Sequence, residues 1–337
     1  MLYSIVIPCY NSSHTIRTVV ETTLPIMAEM GKVPCEFILV NDCSPDGGAT
    51  MAELEALSRD YSCVTAIGLA KNAGQQNATM AGLNAARGDV IISMDDDMQT
   101  HPSQLPLLFE EFDKGESDVV YAYYPDKHHK KYRNLGSQFT SFTVRILIGK
   151  PKTLKTSSFW IMKKFVRDYL IEYKSQYTYL QGLILRTTRK ISSVPVKHFD
   201  RAYGKSNYTM KKLIQLWSNI MGYSIVPLRF VSWMGVAFSL IGLIAAVIVL
   251  IHKLLVPSTA VGWASLMCMI SFFSGLIMLS LGLIGEYIGR MFLSQSNNPQ
   301  FVMREVHEGT SERKMTDDIE RAKHAVNADT SEGSGRD

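Results

Sequence analysis

The chain has 337 residues, a formal net charge of +4 and a mean hydropathy near zero. That length holds one α/β domain of about 200–230 residues plus an appendage. The small net charge, with no basic stripe interleaved with aromatics, excludes a nucleic-acid-binding reading.

The averages hide a sharp division. Met1 to Arg229 mixes charged and apolar residues as a soluble domain does, whereas Phe230 to Gly285 holds a single charge, Lys253, beside His252. After Arg290 the chain turns polar and ends in the Gly/Ser-rich Ser331–Asp337. The five cysteines form no Cys-x-x-Cys pair, and an odd number fits reduced thiols in a cytoplasmic domain. Leu2–Ile7 runs straight into an expected strand closed by Pro8, which reads as no signal peptide.

In chain order, apolar β-branched runs predict strands at Tyr3–Ile7, Glu36–Val40, Val64–Leu69, Val90–Met94 and Val119–Tyr123. Helical patterns fall between them near Thr15–Met30, Ala49–Asp60, Gln76–Arg87 and Ser103–Lys114. Such alternation predicts a largely parallel sheet covered on both faces, with ligands at the carboxyl ends of the strands. Polar clusters stand at those ends: Cys9–Ser13, Asn41–Asp46 and Asp95–Gln99. Further on come a basic loop at Lys127–Arg133, a helical segment to about Ile148, and strands at Ser157–Met162 and Ile191–Phe199.

Tyr208–Tyr223 carries Met210, Leu213, Ile214, Trp217, Ile220 and Met221 on one stripe. Because an apolar run follows within a few residues, the pattern predicts an in-plane helix at a membrane surface. Phe230–Ile251 would be roughly 33 Å long as a helix, which matches a bilayer core, and Trp263–Gly285 fits a second span. Arg229, Arg290 and Arg304 flank the inner ends, so the catalytic domain and both termini are expected in the cytoplasm. The expected division is therefore a domain at 1–207, an interfacial segment at 208–228, two spans within 229–290, and a polar tail at 291–337 with a disordered end.

Asp95-Asp96-Asp97 directly follows an expected strand. Three adjacent carboxylates repel one another, and a hard divalent cation, Mg²⁺ or Mn²⁺, removes that cost. Residues at i and i+2 of a turn can face one cleft, which favours Asp95 and Asp97 as the metal pair with Asp96 turned aside. Lys127-His-His-Lys-Lys131 reads as a solvated loop, and its paired histidines have no third ligand nearby for zinc. Cys9 and Cys43 border the cleft without a catalytic partner and read as packing residues.

Ser4-Ile-Val-Ile-Pro-Cys-Tyr-Asn11, Val40-Asn-Asp-Cys-Ser-Pro-Asp46, Lys71-Asn-Ala-Gly-Gln-Gln76 and Met94-Asp-Asp-Asp-Met-Gln99 together resemble the family 2 glycosyltransferases of the GT-A fold. Arg201-Ala-Tyr-Gly-Lys-Ser-Asn-Tyr208 and Gly285-Glu-Tyr-Ile-Gly-Arg290 narrow the resemblance to polyprenyl-phosphate glycosyltransferases, including dolichyl-phosphate mannose synthases and bacterial undecaprenyl-phosphate sugar transferases. The resemblance implies that Pro8, Tyr10, Asn11 and Asp42 surround the nucleoside, with Lys71, Gln75, Asp95 and Asp96 also on the donor side. It implies a metal on Asp95 and Asp97 with Gln99 as a further ligand. Arg133, Arg201 and Ser206 would face the phosphates of a nucleoside-diphosphate-sugar donor and a polyprenyl phosphate acceptor. Catalysis would then rest on Asp97, Arg133, Arg201 and Ser206, with the lipid bilayer as a partner and a homo-oligomer left open.

Three departures from the family pattern stand out. Ser12 replaces a usual Glu, Asn41 replaces the first Asp of the second motif, and Ser157-Ser-Phe-Trp160 stands where relatives often read Asp-Phe-Arg. The last loss is what keeps a second reading open, a catalytically silent membrane-tethered nucleotide-sugar binder. A polysaccharide synthase is disfavoured, since no Gln-x-x-Arg-Trp motif is present.

Overall fold

The computed structural model describes residues 1–125, 151, 153–197, 199, 226–255, 262–295, 298–309 and 315–333. Eight strands form one sheet: β1 (Tyr3–Cys9), β2 (Cys35–Asn41), β3 (Val64–Leu69), β4 (Val90–Ser93), β5 (Val119–Tyr123), β6 (Trp160–Lys163), β7 (Ile191–Pro195) and β8 (Met303–Glu308). Their order is β7-β5-β6-β4-β1-β2-β3-β8. Strands β1 to β4 are mutually parallel, as β5 and β7 are, while β6 and β8 run antiparallel to their neighbours. The expected GT-A-like architecture, a mostly parallel sheet between helices, is thus the one the chain adopts.

The strands lie where apolar runs predict them because a strand buried on both faces needs nearly continuous apolar residues. The side-chain period of two then splits each strand between two cores. Ile5, Ile7, Phe37, Leu39 and Ile92 pack on one face with residues of α1 (Ile16–Glu29), α2 (Ala49–Asp60) and α4 (Leu105–Asp113). Val6, Ile38, Val40 and Ile91 pack on the other with α3 (Gln75–Ala85), α5 (Lys164–Ile171) and α6 (Leu180–Thr187). Gly82 of α3 sits so close to the sheet that a Cβ there would collide with Val6. That close contact brings the amino end of α3 onto the carboxyl edge of the sheet.

The chain winds outward through β1, β2 and β3, then crosses back to lay β4 on the other side of β1. The winding therefore reverses between β1 and β4, where open α/β sheets form a ligand crevice. The expected 157–162 strand is shorter, Trp160–Lys163, and it inserts antiparallel between β4 and β5. Its amino end therefore opens on the same edge as the carboxyl ends of β1 and β4.

Two helices follow, α7 (Val226–Leu255) and α8 (Trp263–Gln295). Among the described residues one stretch, Phe272–Gly289 of α8, is long and apolar enough to cross a membrane, and Val231–Gly242 of α7 is a shorter apolar stretch. Both helices leave large apolar side chains uncovered, among them Trp233, Leu240, Ile248, Met278 and Leu281. The predicted helices ending near Ile148 and over Tyr208–Tyr223 lie outside the described residues.

The expectation of a polar tail over 291–337 is corrected. Met303–Glu308 returns as β8 against β3, and α9 (Met315–Gly333) packs on α1. Asp318 of α9 is buried and accepts hydrogen bonds from Ser62 Oγ at 2.6 Å and the Cys63 amide at 3.3 Å. A buried carboxylate met by two donors fixes this helix more firmly than its polar composition suggests.

Candidate active site

Backbone conformation alone marks one edge of the sheet. Asn11, Cys43 and Met98 are the non-glycine residues with positive φ among the described residues, at 58°, 49° and 59°. They fall in the loops after β1, β2 and β4. Left-handed backbone is uncommon at non-glycine residues, and such positions gather at functional sites.

Hydrogen bonds then tie these loops together. The Asn11 amide donates to Ser44 Oγ at 3.0 Å, and Asn41 Oδ1 accepts from both Ser44 Oγ (2.6 Å) and the Ser44 amide (3.1 Å). Asn41, the residue that departs from the family's acidic pair, thus props the β2 loop against the β1 loop. The Ser12 amide donates to Thr50 Oγ1 at 3.0 Å, and Thr50 is held in turn by Asp46 ahead of α2.

Asp42 is buried at the end of β2. Its two carboxylate oxygens accept from the amides of Ala73 at 2.6 Å and Gly74 at 2.9 Å, while its own carbonyl accepts from Asn72 Nδ2 at 3.0 Å. Burial raises its pKa and the two amides pull the other way, with a net upward shift. Asp42 therefore shapes the loop that carries Lys71, which is exposed. Pro8 is buried in β1, while the Tyr10 ring beyond it is 42% exposed at the mouth of the crevice.

The three aspartates after β4 diverge. Asp96 points back to the β1 loop, accepting from the Tyr10 amide at 2.9 Å and from Ser12 Oγ. Ser12, where relatives carry Glu, is thus a donor to an acid supplied by another loop. Asp97 Oδ1 accepts from the Gln99 amide at 3.2 Å, closing a tight turn that fixes both residues. Asp95 Oδ1 accepts from Gln75 Nε2 at 2.8 Å and Oδ2 from Ser158 Oγ at 2.5 Å. Burial, opposed by the Ser158 hydrogen bond and reinforced by the Asp97 and Asp96 charges, pushes Asp95 up to about 7.

That arrangement fits a hard divalent cation. The donors on Asp95, Gln75 and Ser158, are neutral, so a cation can offset its charge, and the carboxylate oxygens of Asp95 and Asp97 are hard ligands. Cys9 is no rival nucleophile: it is buried, its thiol donates to the Ile7 carbonyl, and burial pushes its pKa well up. Arg133, Arg201 and Ser206 lie outside the described residues.

In the sequence Ser158 stands out only as a lost acid, and Ser44 and Thr50 do not stand out at all. A run of small hydroxyl residues beside each motif is their one trace in the sequence.

Known proteins resemble this chain over most of its length. Residues 4–170 match the model of Glycosyl transferase family 2, and residues 226–291 match the GtrB C-terminal hairpin. An undecaprenyl-phosphate 4-deoxy-4-formamido-L-arabinose transferase of Edwardsiella ictaluri is 31% identical over 90% of this chain and 93% of its own length. The enzyme of the same name from Pseudomonas aeruginosa is 29% identical over 92% of this chain and 91% of its own. Among solved structures, glucosyl-3-phosphoglycerate synthase from Mycobacterium tuberculosis in complex with Mn²⁺, UDP-glucose and phosphoglyceric acid covers 65% of this chain and 79% of its own, with a TM-score of 0.46 at 18% identity.

Proposed function

The chain belongs to glycosyl transferase family 2, among the polyprenyl-phosphate glycosyltransferases, and on that premise we propose that it transfers a sugar from a nucleoside-diphosphate donor to undecaprenyl phosphate. The observation that carries the reading is the pair of carboxylates, Asp42 buried and Asp95 partly buried, at the crevice where the sheet winding reverses.

The nucleoside would lie against Tyr10, Asn11 and the loop that Asp42 orders, where the remaining lone pairs of Asp42 can take a base N–H. Asp95 and Asp97 would hold Mg²⁺ or Mn²⁺, with Gln99 beside them. When bound, the cation neutralises the departing diphosphate. Ser158 and Gln75 would aim the Asp95 carboxylate into the crevice until a cation takes its oxygens. Arg133, Arg201 and Ser206 are assigned by family resemblance to the phosphates of donor and acceptor. A phosphate monoester loses its second proton near pH 6, so the acceptor is already a charged nucleophile and needs no general base. One in-line displacement inverts the anomeric carbon. The missing family acid near Ser158 is therefore compatible with turnover.

The acceptor lipid requires a membrane. Uncovered apolar side chains on α7 and α8 support two crossings rather than one. The pairing of β3 with β8 points the same way: a chain that leaves the sheet domain and rejoins it crosses a bilayer an even number of times. Donor chemistry and the flanking arginines favour the cytoplasmic face of the cytoplasmic membrane.

The test is a screen of nucleotide sugars against membranes carrying the protein and polyprenyl phosphate, with mass spectrometry of the lipid product. A lipid-linked sugar monophosphate is expected, and its mass names the sugar. Nucleotide binding with no product from any donor would favour the silent binder. For topology, Ser258→Cys should react with an impermeant thiol reagent from outside the cell only. Reaction from the inside alone would overturn the two-span arrangement.

A further inference from the structure

A second polar cluster stands away from the crevice, where the returning strand β8 meets the sheet. In the β3–β8 ladder Glu305 lies opposite Gly68 and His307 opposite Ala66. Being two residues apart, Glu305 and His307 share the face that meets α2, and Glu55 of α2 completes the group. His307 Nε2 lies 3.5 Å from Glu55 Oε1 and 3.6 Å from Glu305 Oε2, and the three ligand atoms all lie within 4.8 Å of one another.

Two observations on these residues point to a ligand. First, the His307 ring is 38% exposed, yet its Nε2 atom is turned inward from solvent and makes no hydrogen bond. Its two separations exceed the usual N–H···O range of about 2.7–3.2 Å. They match the edge of a tetrahedron around a metal with bonds of about 2.0–2.2 Å, which is about 3.3–3.6 Å. Second, the sheet leaves room for the carboxylate. A Cβ on Gly68 would stand 2.9 Å from both Cγ and Oε1 of Glu305, so the side chain folds over a strand position that has none. Glu55 turns its other oxygen to Arg59, at 3.6 Å, and keeps Oε1 for the cluster.

We propose that Glu55, Glu305 and His307 bind one borderline divalent cation of the Zn²⁺ type, which staples the C-terminal strand to α2 and the sheet. An imidazole with two carboxylates suits Zn²⁺ and disfavours Mg²⁺ and Ca²⁺, which prefer an all-oxygen shell. Three protein ligands leave a fourth position for water. The staple borders the donor crevice, since the Ala70 amide donates to the Val302 carbonyl at 2.8 Å just ahead of β8. Fastening β8 therefore also steadies the start of the loop that Asp42 orders. This site is independent of the glycosyl-transfer reading.

The test uses the full chain in detergent, stripped with chelator, kept reduced and saturated with Mg²⁺ so that the aspartate crevice is filled. Zn²⁺ is titrated by calorimetry into wild type, His307→Ala and Glu55→Gln, and thermal midpoints are read with and without Zn²⁺. Wild type should bind one more Zn²⁺ than either variant, or bind it at least tenfold more tightly, and only wild type should gain several degrees. Co²⁺ in place of Zn²⁺ should give wild type the strong visible absorption of a four-coordinate site. Equal stoichiometry and equal midpoint shifts in all three proteins would overturn the proposal, leaving His307 merely packed between two glutamates. Glu55→Gln, on the surface of α2, decides the matter if His307→Ala fails to fold.

Discussion

Asp42 and Asp95 stand at the ends of β2 and β4, both withdrawn into the protein, yet they are held in opposite ways. Backbone amides of Ala73 and Gly74 grip Asp42, whereas two side chains, Gln75 and Ser158, meet Asp95. Amides fixed in a loop cannot turn away, so Asp42 is part of the wall. Side-chain donors can rotate off, so the Asp95 oxygens can pass to a cation. On the proposed reading the same residue type would serve as scaffold in one loop and as an exchangeable ligand in the other, and the donor would decide which.

Mutations can break that contrast. The largest effect is expected at Asp97→Asn, on the exchangeable side, where a ligand charge opposite the diphosphate is lost. Turnover should fall by about 10²–10³-fold, the scale of losing a preorganised electrostatic contact, while the melting midpoint stays near wild type. Chelator should do the same to wild type, with Mg²⁺ or Mn²⁺ restoring activity; full turnover in chelator would remove the metal from the account.

Asp42→Ala should act through structure instead. It strips a charged acceptor from two amides, at about 1.5–3 kcal/mol per charge-assisted bond. Nucleoside diphosphate affinity by calorimetry should drop ten- to a hundredfold, and the melting midpoint should fall with it. A normal midpoint with lost turnover would place Asp42 among the exchangeable groups and erase the distinction.

Ser158→Ala removes one neutral donor, worth about 1 kcal/mol. A roughly fivefold loss of turnover is expected, with more Mg²⁺ needed for half activity and an unchanged midpoint. Gln75→Ala should have the smallest effect, within about threefold, because this exposed side chain is replaced by water. If Gln75→Ala exceeds Ser158→Ala, the less exposed donor is not the one that orients Asp95.

The parallel strands were legible because burial on both faces demands apolar, β-branched runs such as Ser4–Ile7 and Phe37–Val40. The aspartate triplet was legible because three adjacent carboxylates after such a run need a reason. Strand order was not, and β6 between β4 and β5 shows why: pairing is a long-range choice that four residues of sequence do not encode. Met303-Arg-Glu-Val-His-Glu308 escaped for a different reason. It is an edge strand whose inward face carries Glu305 and His307 rather than apolar groups, so its composition reads as a tail. Ser158 escaped because its partner, Asp95, is 63 residues away, and only the fold brings them together.

The antiparallel partner of β3 is made last. Roughly 230 residues separate Leu69 from Met303, and the two long apolar helices lie between them. At about 5–20 residues per second, synthesis leaves the outer edge of β3 bare for roughly ten to fifty seconds. During that wait its free amides and carbonyls are open to any passing strand, the condition that invites aggregation. On the proposed membrane reading the sheet would close only after the helices enter the bilayer, so completion of the sheet would report that insertion has occurred. A slow or failed insertion would leave the nascent chain with its edge exposed beside the ribosome, where quality control can find it.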